Sequence, residues 1–230
     1  SLDAAKAIGT EQTGSIGTSA SRVALVIGNG HYPDASAPLA QPINDARGLT
    51  AALRAKGFDV DVVEDATKDD MARAIIRLKA KVKPDTVAML FFGGYGVQVG
   101  RESFMIPVDA AIWKEADVRR DGVSIEQVLD AMTEKGAKAK LVVVDASRRN
   151  PYERRFRSYS HGLAPIPTPE NALILTSATP GKVADDGKGQ YSVLVTELLN
   201  NLNSQSGAAS AFNKTRISVS RASDGEQVPQ

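Results

Sequence analysis

The stretch VAMLFFGGYG at residues 87–96 decides the fold. Its first six residues are apolar without alternation, which is typical of a strand buried on both faces of a parallel sheet. The glycines that follow end the strand and leave Tyr95 in a turn. In open parallel sheets, ligands and catalytic groups lie beyond the carboxyl ends of the strands, so we expect functional residues in this turn.

Four further apolar runs lie on either side of this stretch: VALVI at 23–27, DVDVV at 59–63, LVVV at 141–144 and ALILT at 172–176. Helically spaced apolar residues lie between them, over 46–53 and 71–82. Capping-box spacings begin at Thr67 and at Ser124. This alternation of strands and helices predicts a doubly wound α/β fold with a mostly parallel sheet and helices on both faces.

Four loops follow the carboxyl ends of these strands and carry polar residues or glycines. They read GNGH at 28–31, GGYG at 93–96, DASR at 145–148 and SATP at 177–180. Because parallel strands end at a common edge, we expect a functional site built from these loops.

Composition narrows the classes of function. Lys plus Arg number 28 against 27 Asp plus Glu, and this balance gives no electrostatic footprint for nucleic acid or an anionic membrane. The absence of cysteine excludes disulfides and thiol chemistry within this chain. No apolar run of about 18 residues could span a bilayer, so we expect a soluble segment, with cytoplasmic and exported locations both left open.

The first residues differ in composition from the rest. Residues 1–20 are rich in Gly, Ser, Thr and Ala and lack apolar periodicity, which predicts a flexible N-terminal linker. The remaining residues, 21–230, are expected to form one domain. The chain begins with Ser1, so an export signal removed from a longer precursor is compatible with the sequence.

Six motifs, in order along the chain, carry a resemblance to a known family. They are VALVIGNGHY at 23–32, PINDARGLTAALRAKGFDV at 42–60, MLFFGGYGVQ at 89–98, IPVDA at 106–110, VVVDASRRNP at 142–151 and ATPGKVADDGKGQYS at 178–192. Over nearly all of residues 22–230 the chain resembles the caspase and metacaspase superfamily, particularly the bacterial metacaspase-like or orthocaspase-like domains. The resemblance implies a six-stranded sheet whose last strand lies at 225–230.

The resemblance also implies which residues stand at the catalytic positions. Tyr95 stands where the family has its histidine, and Ser147 where it has its cysteine. A serine hydroxyl needs a general base, and a tyrosine of ordinary pKa is ionised in about one molecule in a thousand at pH 7. We therefore expect a pseudo-protease that binds a peptide without cleaving it. The alternative is an active endopeptidase or hydrolase that uses Ser147 as its nucleophile.

Two histidines are further candidates for a base. His31 follows the first predicted strand, and His161 lies in the segment after Pro151. For both, the alternative interpretation is a loop histidine with its polar tip in water, and neither stands at the family's catalytic position. The resemblance separately implies an oxyanion site made by the backbone N–H groups of Gly96 and Ser147.

The family's acidic pocket for Arg or Lys maps onto four carboxylates by the same resemblance. Asp145 lies in the nucleophile motif, Asp185 and Asp186 follow the fifth strand, and Asp45 lies in the PINDA motif. Paired carboxylates suit a guanidinium group. The alternatives are a solvated turn at Asp185 and Asp186 and a cap of the first helix at Asp45.

The remaining expectations concern cofactors, partners and processing. No EF-hand spacing is present, and the Gly28-Asn29-Gly30 loop lacks both the dinucleotide fingerprint and the P-loop lysine, so we expect neither a metal nor another cofactor. YERRFR at 152–157 falls where caspase-like proteins often carry a processing loop, the alternative being a solvated charged loop. We expect an uncut monomer whose partner is a peptide or protein with an exposed Arg or Lys.

Overall fold

A computed structural model of the chain describes residues 21–33, 35, 37–146, 171–176 and 191–202. Strands and helices alternate through this part of the chain. In order they are β1 (Arg22–Gly28), α1 (Ala40–Ala55), β2 (Asp59–Glu64), α2 (Lys68–Lys81), β3 (Val87–Gly93), β4 (Gly96–Val99), β5 (Glu102–Met105), α3 (Glu115–Asp121), β6 (Val123–Ser124), α4 (Ile125–Glu134), β7 (Ala139–Asp145), β8 (Ala172–Thr176) and α5 (Val193–Leu202).

The main sheet contains the five predicted strands, all parallel, in the order β2-β1-β3-β7-β8. The predicted α/β fold with a mostly parallel sheet and helices on both faces is confirmed. The sixth strand, expected at 225–230, lies outside the described residues, as does the expected linker at 1–20. No helix in the described ranges is long and apolar enough to cross a membrane.

Both faces of β3 are buried, which explains why its sequence is apolar without alternation. Met89 and Phe91 pack with residues of α1 and α5 on one face of the sheet. Leu90 and Phe92 pack with residues of α2 and α4 on the other. Side chains alternate between the faces of a strand, so two covered faces demand apolar residues at successive positions.

The predicted helix starts are also present. Thr67 precedes α2, and its side chain accepts a hydrogen bond from the backbone N–H of Asp70 while the Asp70 carboxylate accepts one from the backbone N–H of Thr67. Ser124 precedes α4 and accepts from the backbone N–H of Gln127 at 3.4 Å. Each cap satisfies backbone donors that would otherwise have no intrahelical partner.

A second sheet was not predicted from the sequence. β4, β5 and β6 form a small antiparallel sheet that begins immediately after the turn containing Tyr95. The hairpin between β4 and β5 turns at Gly100, which has φ of +62°. Strands of four and two residues are too short to show a clear alternation of apolar and polar side chains, so periodicity alone does not reveal them.

The strand order predicts where a ligand or catalytic site lies on this sheet. Of the five parallel strands, the first lies between the second and the third, so the direction of winding reverses beside β1. Loops on the two sides of such a reversal diverge and leave a crevice at the carboxyl ends of β1 and β3. The described residues of the candidate site lie around this crevice.

Candidate functional site

The first three predicted loops leave the main sheet at one level. Gly28 is in register with Gly93, and Gly93 is in register with Asp145. The ends of β1, β3 and β7 therefore share one edge, as the sequence predicted. The fourth predicted loop, 177–180, lies outside the described residues.

Asn29 is a buried residue at this edge that forms hydrogen bonds to three other segments. It is fully buried, and its side-chain oxygen accepts from the backbone N–H of Ala66 at 2.7 Å. Its side-chain nitrogen lies 3.3 Å from the carbonyl oxygen of Ile106, and its own backbone N–H donates to Gly93. Asn29 thus joins three segments through its side-chain amide and its backbone N–H. Burying these polar groups without such bonds would be costly.

The glycines on either side of Asn29 are explained by close packing against the start of α1. A Cβ atom on Gly28 would lie 2.5 Å from the carbonyl oxygen of Pro42, and one on Gly30 would lie 2.1 Å from that of Leu39. Both distances are far below van der Waals contact. The GNG sequence therefore serves close approach of the loop to the helix, and its glycines need no phosphate to account for them.

The Tyr32 hydroxyl lies between the turn at Tyr95 and the end of β5. The residue is buried, and its hydroxyl donates to the carbonyl of Ile106 at 2.7 Å while accepting from the backbone N–H of Tyr95 at 3.1 Å. A Cβ on Gly94 would lie 2.5 Å from this hydroxyl oxygen. The Gly93-Gly94 sequence thus leaves a notch that the Tyr32 hydroxyl fills, a role that the sequence did not reveal.

Tyr95, predicted to stand at the degenerate histidine position, lies inside an apolar cluster. Only 4% of its surface is exposed, and its ring centroid lies 4.5 Å from that of Tyr32 with 55° between the planes. This tilted arrangement is favourable for two aromatic rings. Apolar side chains complete the cluster: Val97, Val99, Phe104, Ile106, Ile112 and Val118. Tyr95 is therefore packed as a core residue.

The position of buried Gly96 in the antiparallel ladder decides the direction of its backbone N–H. Gly96 pairs with Met105 in the antiparallel ladder, and the adjacent bond runs from the N–H of Ile106 to the carbonyl of Tyr95. Pairs of residues in such a ladder alternate between bonded and non-bonded types, and this bond makes Gly96 and Met105 a non-bonded pair. The Gly96 N–H is consequently directed away from β5.

Asp145 ends β7 directly beside this turn. Its side chain is buried, with 1% of the residue exposed, and its backbone carbonyl accepts from the N–H of Gly94 at 3.3 Å. Of the two predicted pocket acids that lie within the described residues, Asp145 is the one placed against the turn carrying Tyr95.

Asp45, also predicted for the pocket, lies in the second turn of α1 and is fully buried. Its carboxylate accepts from the backbone N–H of Ser192 at 2.9 Å, just before α5 begins. The alternative interpretation of Asp45 as the cap of the first helix is wrong, because that helix begins at Ala40 after an N-cap, Leu39, that makes no side-chain capping bond. Asp45 instead ties α1 to the start of α5.

The other predicted site residues lie outside the described residues. They are Ser147, both as nucleophile position and as oxyanion donor, the acids Asp185 and Asp186, the second histidine His161, and the possible processing loop at 152–157.

His31 is bound to a carboxylate that the sequence analysis did not single out. Its ring Nδ1 lies 2.6 Å from a carboxylate oxygen of Asp65, and its side chain is 60% exposed. The other carboxylate oxygen of Asp65 accepts from the backbone N–H groups of Gly30 and His31, each at 3.0 Å. Because an ionised carboxylate only accepts, the proton of this bond is carried by Nδ1. His31 is therefore oriented rather than freely solvated.

Asp65 itself has an unusual conformation and a perturbed pKa. Its φ is +50°, a region that Asp tolerates better than most residues. Burial by itself raises the pKa of the Asp65 carboxyl, but hydrogen bonds from the amides of Gly30 and His31 and from the His31 ring outweigh burial and hold the pKa below its usual value. An Asp two residues after the predicted strand at 59–63 and two residues before the helix cap at Thr67 was the available sequence signal.

Metal ligands do not gather in this part of the chain. Among the residues for which the structure gives positions, no group of three or more His, Cys, Asp or Glu side chains could hold a metal ion. The described edge offers backbone amides, the carboxylates of Asp65 and Asp145, the His31 ring and the Tyr32 hydroxyl.

A parallel sheet in this strand order, with buried polar residues at the ends of β1, β3 and β7, defines an α/β domain with a candidate site at its carboxyl edge. A family model described as the caspase domain matches residues 21–230, and the chain therefore belongs to that family. The resemblance inferred from the six motifs is confirmed at this level.

Part of the chain is also similar to two larger proteins. Mucosa-associated lymphoid tissue lymphoma translocation protein 1 of Homo sapiens is 29% identical over 144 residues, which are 62% of this chain and 17% of that protein. Its homolog in Mus musculus is 31% identical over 133 residues, which are 57% of this chain and 16% of that protein. The matched region spans about a sixth of each relative's length.

Proposed function

We propose that this caspase domain binds a peptide segment carrying Arg or Lys and does not cleave it. The observation that carries the proposal is the burial of Tyr95 in an apolar cluster against Tyr32. The proposal includes the assignment of Tyr95 and Ser147 to the catalytic histidine and cysteine positions. It also includes the metacaspase-like subtype and a monomeric state.

A general base must lie within about 2.6–3.2 Å of the proton that it removes, directly or through one water. A phenol of ordinary pKa, about 10, is almost entirely protonated at neutral pH, and only 4% of Tyr95 is exposed, so Tyr95 is poorly suited to that task. The packing of Tyr95 therefore supports the loss of proteolysis.

His31 does not offer a substitute base for the strand that leads to Ser147. Its ring is bound to Asp65 at the end of β2, and β2 is separated from β7 by β1 and β3. Neighbouring strands lie about 4.8 Å apart, so the ends of β2 and β7 are about 14 Å apart. This separation also favours the noncatalytic proposal over the alternative hydrolase.

Binding is supported by groups that do not depend on a thiol or an imidazole. The buried carboxylate of Asp145 lies beside the turn at Gly94, and the Gly96 N–H is directed away from β5. A carboxylate suits a guanidinium or ammonium group, and a backbone N–H suits a peptide carbonyl. In this proposal Asp185 and Asp186 complete the acidic pocket, while Asp45 contributes to it and holds the start of α5.

The binding experiment is a calorimetric titration with acetylated peptide amides ending in Arg or in norleucine. We expect a preference for Arg of at least tenfold, about 1.4 kcal/mol, that falls in Asp145→Asn. Asp130→Asn, which removes a charge from the exposed face of α4, is the matched control and should keep the preference. Equal affinity for both peptides would contradict the proposal.

The cleavage experiment uses fluorogenic peptides ending in Arg or Lys. We expect no turnover by the unmodified chain. Turnover that disappears in Ser147→Ala would support the alternative hydrolase instead. The double variant Tyr95→His, Ser147→Cys then asks whether restoring imidazole and thiol is sufficient, and a gain of turnover would show that the binding groups remained competent.

A further inference from the structure

Asp65 differs from the carboxylates of β2 in the partners that it has. Three carboxylates of the strand each form an ion pair with a basic side chain: Asp59 with Lys81, Asp61 with Arg77, and Glu64 with Arg47. Asp65, immediately after the strand, is bound by two backbone N–H groups and by the His31 ring. Within the described ranges, no Lys or Arg forms an ion pair with Asp65.

The His31 ring presents a second nitrogen that Asp65 does not use. Nδ1 lies 2.6 Å from the Asp65 carboxylate, and 60% of the His31 side chain is exposed. Because the carboxylate only accepts, Nδ1 carries the proton, and in the neutral ring Nε2 carries a lone pair. No residue that the structure describes forms a hydrogen bond to Nε2. The pair therefore offers an acceptor beside a negative charge, which suits a cationic N–H donor.

Backbone hydrogen bonds hold the pair in place. The N–H groups of Gly30 and His31 donate to one oxygen of Asp65, each at 3.0 Å. The backbone N–H of Asp65 donates in return to the carbonyl of Gly28 at 2.9 Å. The loop after β1 and the residue after β2 thus bind each other in both directions. Groups that are already oriented lose little conformational freedom when a ligand binds.

The register of the strands gives the distance between this pair and Asp145. Glu64, which precedes Asp65, is in register with Gly28. Gly28 is in register with Gly93, and Gly93 with Asp145. The ends of β2 and β7 therefore lie at one level, three strand spacings or about 14 Å apart. An extended peptide advances about 3.3 Å per residue, so about four residues cover this distance.

We propose that the His31–Asp65 pair binds a second basic residue of the peptide, about four positions from the Arg or Lys bound at Asp145. This inference rests on the proposed peptide binding and narrows the ligand class to a segment with two spaced basic residues. The second cationic group donates to Nε2 of His31 and is attracted by the Asp65 charge. Because exposed charge pairs contribute little, we expect a gain in affinity of about threefold.

The test is a calorimetric titration with acetylated peptide amides at pH 8, where free imidazole is neutral. Each peptide has one Arg and, four positions away on its N-terminal or C-terminal side, either Lys or norleucine, with glycine elsewhere. On one of the two sides the Lys peptide should bind about threefold more tightly. This ratio should approach one in about 0.5 M NaCl, because salt screens exposed charges. Ratios of one on both sides at low salt would overturn the inference.

Two variants remove the charge and the acceptor separately. Asp65→Asn removes the charge, keeps an oxygen for the two amides and tolerates the φ of +50°. His31→Phe removes both ring nitrogens. In each variant the Lys-to-norleucine ratio should fall to about one, while the preference for Arg over norleucine at the first position is kept. A folded Asp65→Asn protein with the full ratio would contradict the proposal.

Asp61→Asn is the matched control for removing a carboxylate charge. Asp61 lies on the same side of the sheet edge in β2 and already has Arg77 as its partner. The variant changes the net charge by the same amount as Asp65→Asn and should keep the threefold ratio. A ratio that falls equally in both variants would show a long-range effect of net charge and would overturn the specific site.

The spacing of the two basic residues provides a second control. When Lys directly follows or precedes the Arg, its side chain cannot reach the His31–Asp65 pair. The Lys-to-norleucine ratio of these adjacent peptides should therefore be the same in Asp65→Asn as in the unmodified chain. An equal fall at both spacings would also overturn the inference.

The first position separates this inference from the proposed function. Asp145→Asn should weaken the preference for Arg and keep the Lys-to-norleucine ratio at the second position, because the two sites are far enough apart to act additively. Failure of the unmodified chain to bind any Arg peptide overturns the proposed function and this inference with it. A preference for Arg together with a second ratio of one overturns this inference alone.

Nuclear magnetic resonance of the unmodified chain decides the matter if the variants do not fold. The ring resonances of His31 should shift when the Lys peptide is added and stay in place with its norleucine analogue. Equal shifts with both peptides would contradict the inference.

Discussion

Asp45 accepts a hydrogen bond from the backbone N–H of Ser192, 147 positions later in the chain, at 2.9 Å. Both residues are buried, and the bond joins α1 to the start of α5. The Ser192 side chain in turn accepts from the N–H of Val195 in the first turn of α5. One carboxylate therefore anchors the residue that caps the last described helix.

Replacing Asp45 should separate its structural contribution from any contribution to binding. We expect Asp45→Ala to lower the free energy of unfolding by about 2 kcal/mol, because the buried N–H of Ser192 loses its acceptor. Asp45→Asn keeps an acceptor oxygen and should lose less. Urea denaturation measures both, and equal losses would contradict the assignment. Weaker Arg-peptide binding by a stable Asp45→Asn protein would identify a pocket role.

The Asp65 carboxylate should make stability depend on pH in the acidic range. Its pKa is lower in the folded chain than its ordinary value near 3.9, so its contribution is fully present above that value and is lost as pH falls through the folded pKa. The stability difference between the unmodified chain and Asp65→Asn should therefore be constant from about pH 5 to 6 and shrink below about pH 4. Asn tolerates the positive φ at this position, which makes it the appropriate variant. Chemical denaturation at several pH values measures this difference, and one that persists unchanged at pH 2.5 would contradict the prediction.

Replacing Gly30 with Ala should lower the free energy of unfolding more than replacing a glycine that is needed only for its positive φ. A Cβ on Gly30 would meet the backbone carbonyl of Leu39 at 2.1 Å, so we expect Gly30→Ala to cost about 3 kcal/mol. Gly100, at φ +62°, has no tighter neighbour than the Arg119 side chain at 3.4 Å, and Gly100→Ala should cost about 1 kcal/mol. Thermal unfolding of the two variants gives the comparison, and the reverse order would show that the loop at Gly30 relaxes.

The chain should remain uncut after purification. An active relative could process itself in the segment 152–157, whereas a domain without a general base could not. Mass spectrometry after prolonged incubation should show the intact chain. A cut after Arg155 or Arg157 that is abolished by Ser147→Ala would overturn the noncatalytic proposal, and a cut that persists in Ser147→Ala would indicate a contaminating protease.

Part of the site could be predicted because parallel strands end at one edge. The apolar run at 87–92 and the glycines after it located the turn at Tyr95, and register brings Asp145 beside that turn. Asp65 was missed, because its role depends on amides 34 and 35 positions earlier in the chain. Local patterns carry no signal for such a partner.

The sequence by itself determined the five parallel strands, the cap at Thr67 and membership of the caspase domain family, because each depends on local periodicity or on motifs in fixed order. Only the tertiary structure decided that Tyr95 is packed against Tyr32 and that the Tyr32 hydroxyl fills the notch at Gly94. Burial and hydrogen bonding depend on which segments meet in space, and Tyr32 meets Tyr95 and Ile106 across 63 and 74 positions of chain.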